Sequence, residues 1–342
     1  MKTEKKKQKN YNLELIRTIS FIMVIVIHVT NYFCRAFGKV STGEYWFALI
    51  MDTFARVSVP SFFMLSGALL LGRDEPFEKN IRRTGRFIVV LLFWSLVYCV
   101  HNRVYMGTPC SLFELLYVPA EPHLWYLYAM IPIYVVLPFF QIMCRGMNRK
   151  MDLALCGIIS VVVIVMYNMS MMNVEFFYDL PLIGDKVYTF YFFLGYFLYK
   201  YRTQEHISTK VLFAIFLVSN ILNIILTASV SSWTGEHYER FLEYGCPLVI
   251  LSGASFFALM LRIKNGQIRL KERTEKAVDT WCTCSFGIYL IHILFLDNYK
   301  KYIEPEAVSA YLAIPALTLV ILMISFGCVY LIRQLPCGTR IT

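Results

Sequence analysis

Charged residues are scarce in this chain. Only 16% of its 342 residues are Asp, Glu, Lys or Arg, against 58% hydrophobic, whereas soluble domains average about 25% charged and about 45–50% apolar. That scarcity excludes a soluble globular enzyme and a disordered chain. Cysteine patterning is missing too. The ten Cys are scattered, mostly in apolar stretches, and no CxxC occurs. The lone CxC of Cys282 and Cys284 opens an apolar run, where a buried thiol behaves as a small hydrophobe. No metal site is expected. No internal repeat, low-complexity segment or domain-sized loop interrupts the pattern.

What is present is a series of long apolar runs, with a mean hydropathy of +0.55. At roughly 20 apolar residues per membrane crossing, ten segments stand out, near 13–34, 47–72, 84–104, 123–143, 151–171, 186–200, 210–230, 243–262, 280–298 and 308–332. The segment at 186–200 is short and aromatic. Runs of this length favour helices over barrel strands of about ten residues. A helix also satisfies its own backbone in hydrocarbon. The expected fold is all-α, a polytopic integral membrane protein of about ten transmembrane helices. A single transmembrane domain over 13–333 lies between a basic tail at 1–12 and a second tail at 334–342.

The formal net charge is +10. In a soluble protein this points to nucleic acid; here the position of the charges decides. With the N-terminus cytoplasmic, 24 of the 33 Lys and Arg fall on that side, seven fall in the opposite connections, and Arg17 and Arg56 lie inside segments. The asymmetry predicts both termini in the cytoplasm and no nucleic-acid partner. The opening MKTEKKKQKN and its apolar run imitate a secretory signal. The run is too long for one and no small-x-small site closes it, so an uncleaved first helix is expected.

Ionisable groups inside apolar segments are costly and mark candidate functional sites. Arg17 and His28 are eleven residues apart, about three helical turns and roughly 16 Å along one face. Asn31 falls at i+3 from His28, and Glu14 at i−3 from Arg17, where it is placed to pair. A snorkelling Arg and a structurally buried His are the alternative account. A neutral imidazole is a suitable general base. Asp52 and Arg56, at i and i+4, read either as a structural salt bridge or as a wall of a polar cavity. Arg82, Arg83 and Arg86 cluster where the third helix begins. They satisfy the positive-inside pattern, and they also suit the phosphates of a cytosolic donor.

The stretch Glu14-Leu15-Ile16-Arg17 followed by FIMVIVIHV resembles the opening of the membrane-bound acyltransferase-3 family. VPSFFMLSGALLL (59–71, with Ser66-Gly67), HLWYLYAMIPIYVVLPFF (123–140, with Trp125), YFFLGYFL (191–198) and FGIYLIHILFL (286–296, with Tyr289 and His292) are similar to later landmarks of that family. Together they cover about residues 10–333. Two positions depart from the common pattern: Met130 stands where many members carry an acidic residue, and Val59-Pro60 where many carry Val-Asp. The form with Val-Pro and HLWYL looks closer to a branch that holds stand-alone O-acetyltransferases and the membrane half of serine/alanine racemases. With the chain ending at Thr342, no racemase domain is expected.

The resemblance implies a membrane O-acyltransferase of a bacterial plasma membrane. It would move an acetyl group from cytosolic acetyl-CoA to a hydroxyl of an extracytoplasmic or lipid-linked saccharide or small molecule. His28 and Arg17 align with the family's essential first-helix pair, with His28 as general base. Arg82, Arg83 and Arg86, with Arg17, would hold the acyl-CoA. Asn31 or a tyrosine would help hold the oxyanion. The alternative is a transporter for a small polar solute such as serine, with the same groups lining a midplane site. A non-catalytic membrane partner leaves Arg17 and His28 on one face unexplained.

Overall fold

The computed structural model describes residues 10–174, 186–204, 207–266, 268 and 271–342. The tail lysines Lys2, Lys5, Lys6, Lys7 and Lys9, and Arg269, lie outside the described residues. Within them every regular element is helical.

The main helices are α1 (Tyr11–Cys34), α2 (Thr42–Ala55), α3 (Ser58–Leu70), α4 (Phe77–Val100), α5 (Trp125–Gly146) and α6 (Arg149–Met171). They are followed by α7 (Lys186–Lys200), α8 (Thr209–Thr234), α9 (Pro247–Arg262), α10 (Glu272–Lys300), α11 (Ala310–Ile332) and the short α12 (Gly338–Ile341). Their starts carry recognisable caps. The Asn10 side chain accepts from the Asn12 N–H at the start of α1, Ser41 and Glu44 cap α2 reciprocally, and Ser208 caps α8; each satisfies N–H groups that have no partner inside the helix. Among the described residues nine helical stretches are long and apolar enough to cross a membrane, counting α2 and α3 as one. At 15 residues, α7 is shorter than the roughly 20 that a crossing needs. The protein is a multi-pass membrane protein.

The run expected as one helix over 47–72 is two. Pro60 explains the break: it has no N–H for the Arg56 carbonyl, and its ring clashes there. In the first turn of α3 the same proline costs little, because N–H groups there lack helical partners anyway. The interruption leaves Arg56 at a helix end rather than in mid-helix. By contrast, α5 continues through Pro132 and Pro138.

Helix α1 is central, packed against α2, α3, α9, α10 and α11. It runs parallel to α10, side by side along most of its length. Tyr11 donates to Glu275, Thr18 meets Cys282 at 3.4 Å, the His28 and His292 rings lie 5.1 Å apart, and Tyr32 meets Tyr299 at 6.4 Å. Helix α3 touches α7 backbone to backbone. A Cβ on Gly67 would stand 1.7 Å from the Phe192 carbonyl oxygen, and one on Gly195 2.1 Å from that of Met64. Only glycine permits this approach. The stretch 334–342, expected as a tail, instead folds back: α12 packs on α4, the Trp94 indole donates to the Ile341 carbonyl at 2.8 Å, and Thr342 is buried.

Candidate functional site

A cavity of about 540 Å³ lies between α1, α3, α5 and α10. Arg17 and Ser66 line one end, His28, Tyr126 and Tyr289 the middle, and Arg35, Glu239 and Lys300 the other end. From Arg17 to Arg35 is 18 residues of α1, or about 27 Å. Two smaller cavities, about 350 and 490 Å³, adjoin the Arg17 end and share Arg17, Arg86 and Phe286 with each other. The first adds Arg73 and Arg83, the second Arg333 and Asp279.

Three histidines from three helical segments meet at mid-cavity. The rings of His28 and His292 are 5.1 Å apart, those of His123 and His292 5.4 Å, and those of His28 and His123 6.4 Å. His123 and His292 are buried, at 2% and 0% exposure. Each is anchored to backbone: His292 Nδ1 lies 2.6 Å from the Tyr289 carbonyl oxygen, and His123 Nε2 3.4 Å from that of Leu290. A carbonyl only accepts, so those nitrogens carry the protons. The Tyr289 hydroxyl donates to the His123 carbonyl. His28 makes no hydrogen bond among the described residues and faces the cavity. Among the described residues no three His, Cys, Asp or Glu converge as metal ligands.

Arg17 donates to Glu14 at 2.7 Å, as their spacing suggests, and still lines all three cavities. The two readings of Arg56 hold together. Its Nε and a terminal nitrogen donate to Asp52 Oδ2 at 2.9 and 2.8 Å, and the residue also lines the cavity. Asp52 is fully buried and its other oxygen accepts from the Thr30 hydroxyl at 3.0 Å. Asn31 lines the cavity, but its amide donates to Glu239 at 2.5 Å, and Arg35 reaches the same carboxylate at 3.0 and 3.2 Å. Asn31 therefore orients Glu239. Tyr126, which no motif argument singled out, lines the cavity within reach of Ser66. Trp125 lines it as well, with one face stacked on Tyr188 at 4.6 Å.

The arginine trio separates. Arg83 donates to Asn80 and Glu75, both at 2.6 Å, and Arg86 to the Thr339 carbonyl at 2.8 Å; both line the smaller cavity of about 350 Å³ at the Arg17 end. Arg82 is exposed and lines none of the three. The reason is helical geometry: the buried face of α4, with Asn80, Val90 and Trp94, is centred near position 83, and 86 lies about 60° to one side of 83 and 82 about 100° to the same side. Arg73 and Arg333 replace it; both were legible only as inside-loop charges. Burial alone would raise the Glu75 carboxyl, but hydrogen bonds from Lys79, Arg83 and Arg73 outweigh it and hold it down at about 2.

The profile of acyltransferase family 3, described as an acyltransferase domain, matches residues 10–333. The chain belongs to this family. No curated protein and no solved structure matches it significantly. The match spans every wall of the cavity, from Arg17 to Lys300, and the chain is a membrane acyltransferase. At the positions that depart from the common pattern, Met130 is fully buried in the apolar core, Pro60 marks the α2–α3 break, and Val59 lines the cavity.

Proposed function

We propose that this acyltransferase moves an acetyl group from cytosolic acetyl-CoA to a hydroxyl of an extracytoplasmic or lipid-linked saccharide or small molecule, with His28 as general base. The observation that carries this reading is the main cavity, which passes the histidine cluster between two differently lined ends, with arginine-lined smaller cavities adjoining its Arg17 end. Arg17, Arg73, Arg83 and Arg86 suit the phosphates of coenzyme A. The basic residues that predominate on that side support its being cytosolic. Val24, Leu65 and Leu69 wall the stretch between Arg17 and His28, apolar surface suited to a pantetheine arm.

The acceptor hydroxyl comes from the Arg35 end. As its oxygen attacks the thioester carbonyl, the O–H proton passes to His28. The C–S bond breaks, and the thiolate recovers the proton from His28, so the reaction is proton-neutral. Tyr126 is the donor best placed to hold the oxyanion, because the Asn31 amide is engaged with Glu239. His28→Ala should lower label transfer from radiolabelled acetyl-CoA by about 10²–10⁴-fold, the span that general-base catalysis commonly contributes. Unchanged transfer at equal protein level removes His28 from the chemistry.

A further inference from the structure

The buried lone pair on His292 is not used by the mechanism above. His292 Nδ1 faces the Tyr289 carbonyl at 2.6 Å and so carries the proton. Its Nε2 is then a bare acceptor. Among the described residues it has no hydrogen-bond partner, although the residue is fully enclosed. An unsatisfied acceptor in such a place is costly. The ring beside it is His28, 5.1 Å away centre to centre and tilted by 53°. With a nitrogen of each ring turned to the other, that spacing closes to hydrogen-bonding range, about 3 Å. His28, free of hydrogen bonds among the described residues, is able to make the turn.

We propose that His292 is a positioning residue for His28, resting on the reading of His28 as general base. Its Nε2 accepts the N–H of His28. This fixes the tautomer and leaves the other His28 nitrogen bare toward the acceptor hydroxyl. When His28 takes the proton, its N–H to His292 becomes charge-assisted and strengthens. His292 keeps its own Nδ1 proton and stays neutral throughout. It fills the place that a buried carboxylate holds in hydrolase triads. In an apolar bundle a neutral acceptor suits this task, because a second ionised group there is expensive to bury. The parallel register of α1 and α10 keeps the two rings level.

Two substitutions separate positioning from mere packing. Gln presents an acceptor oxygen near the place of Nε2; Asn presents a donor near the place of Nδ1 and nothing at Nε2. With radiolabelled acetyl-CoA and membranes carrying the full chain, His292→Asn should keep the Tyr289 contact and lose about 30-fold or more in kcat at unchanged KM for acetyl-CoA. His292→Gln should recover at least about a tenth of the native kcat. Recovery by Asn but not Gln, or equal loss in both, overturns the role of His292. Native activity in His28→Ala overturns the general-base reading and the His292 role with it. Loss in His28→Ala with native kcat in His292→Asn overturns only the latter. Protein level and monodispersity in detergent show that each variant folds.

Discussion

The two ends of the cavity both carry cations but neutralise them differently. At the Arg35 end each guanidinium has its own carboxylate, Arg35 with Glu239 and Arg56 with Asp52. At the Arg17 end Arg17 has Glu14, but a single further carboxylate, Glu75, serves Arg73, Lys79 and Arg83, and Arg86 and Arg333 turn to main-chain oxygens at Thr339 and Thr342. Cations matched one to one are part of the wall. Cations in excess of their carboxylates keep a positive field that a polyanion can neutralise.

The paired end breaks hardest at Asp52. Asp52→Ala leaves Arg56 largely buried and without its carboxylate, and should cost about 3–5 kcal/mol, read as a large fall in thermal midpoint in detergent. A midpoint close to the native one would mean that Arg56 is already neutralised by solvent or ligand. The cation-rich end responds in binding instead. Arg86→Ala should raise the KM for acetyl-CoA by about 10–100-fold, from a charged hydrogen bond of about 1.5–3 kcal/mol. Arg82→Ala, on the outer face of the same helix, should change it less than about twofold. Equal effects of the two would place the donor elsewhere.

The smallest expected effect sharpens the comparison through pH. The Glu75 carboxyl is held at about 2 in the folded chain, below its ordinary 4.5. A depressed carboxyl contributes stability fully above the unfolded value and loses it as pH falls toward the folded one. The thermal midpoint should therefore fall between pH 4.5 and pH 2 by more in the native protein than in Glu75→Gln. Parallel profiles would show that the three cations do not depend on this carboxylate.

Much of the architecture was legible because hydrocarbon leaves few choices. Apolar runs of about 20 residues must be helices there, and the segment read as the shortest is α7. The face shared by Glu14, Arg17, His28 and Asn31 follows from helical period alone. The gathering of the three histidines was not legible. His123 sits at a helix start with no periodic partner, so a search for charges within long runs passes over it. Arg82 and Arg83 are adjacent in sequence but point about 100° apart on a helix, which a cluster read from spacing alone does not show.

The sequence by itself determined that the chain lies in a membrane as a helical bundle, that Arg17 and His28 share a face, and that it carries the landmarks of its family. Composition and period are local properties, and a bilayer enforces them. The tertiary structure decided which face meets which. The parallel register of α1 and α10 sets His292 beside His28, Pro60 leaves Arg56 against both Asp52 and the cavity, and the return of α12 brings Thr342 to Arg86 and Arg333. The contacts of His292 with His28 and of Thr342 with Arg86 join residues more than two hundred positions apart. They depend on packing between helices, of which no single segment carries a trace.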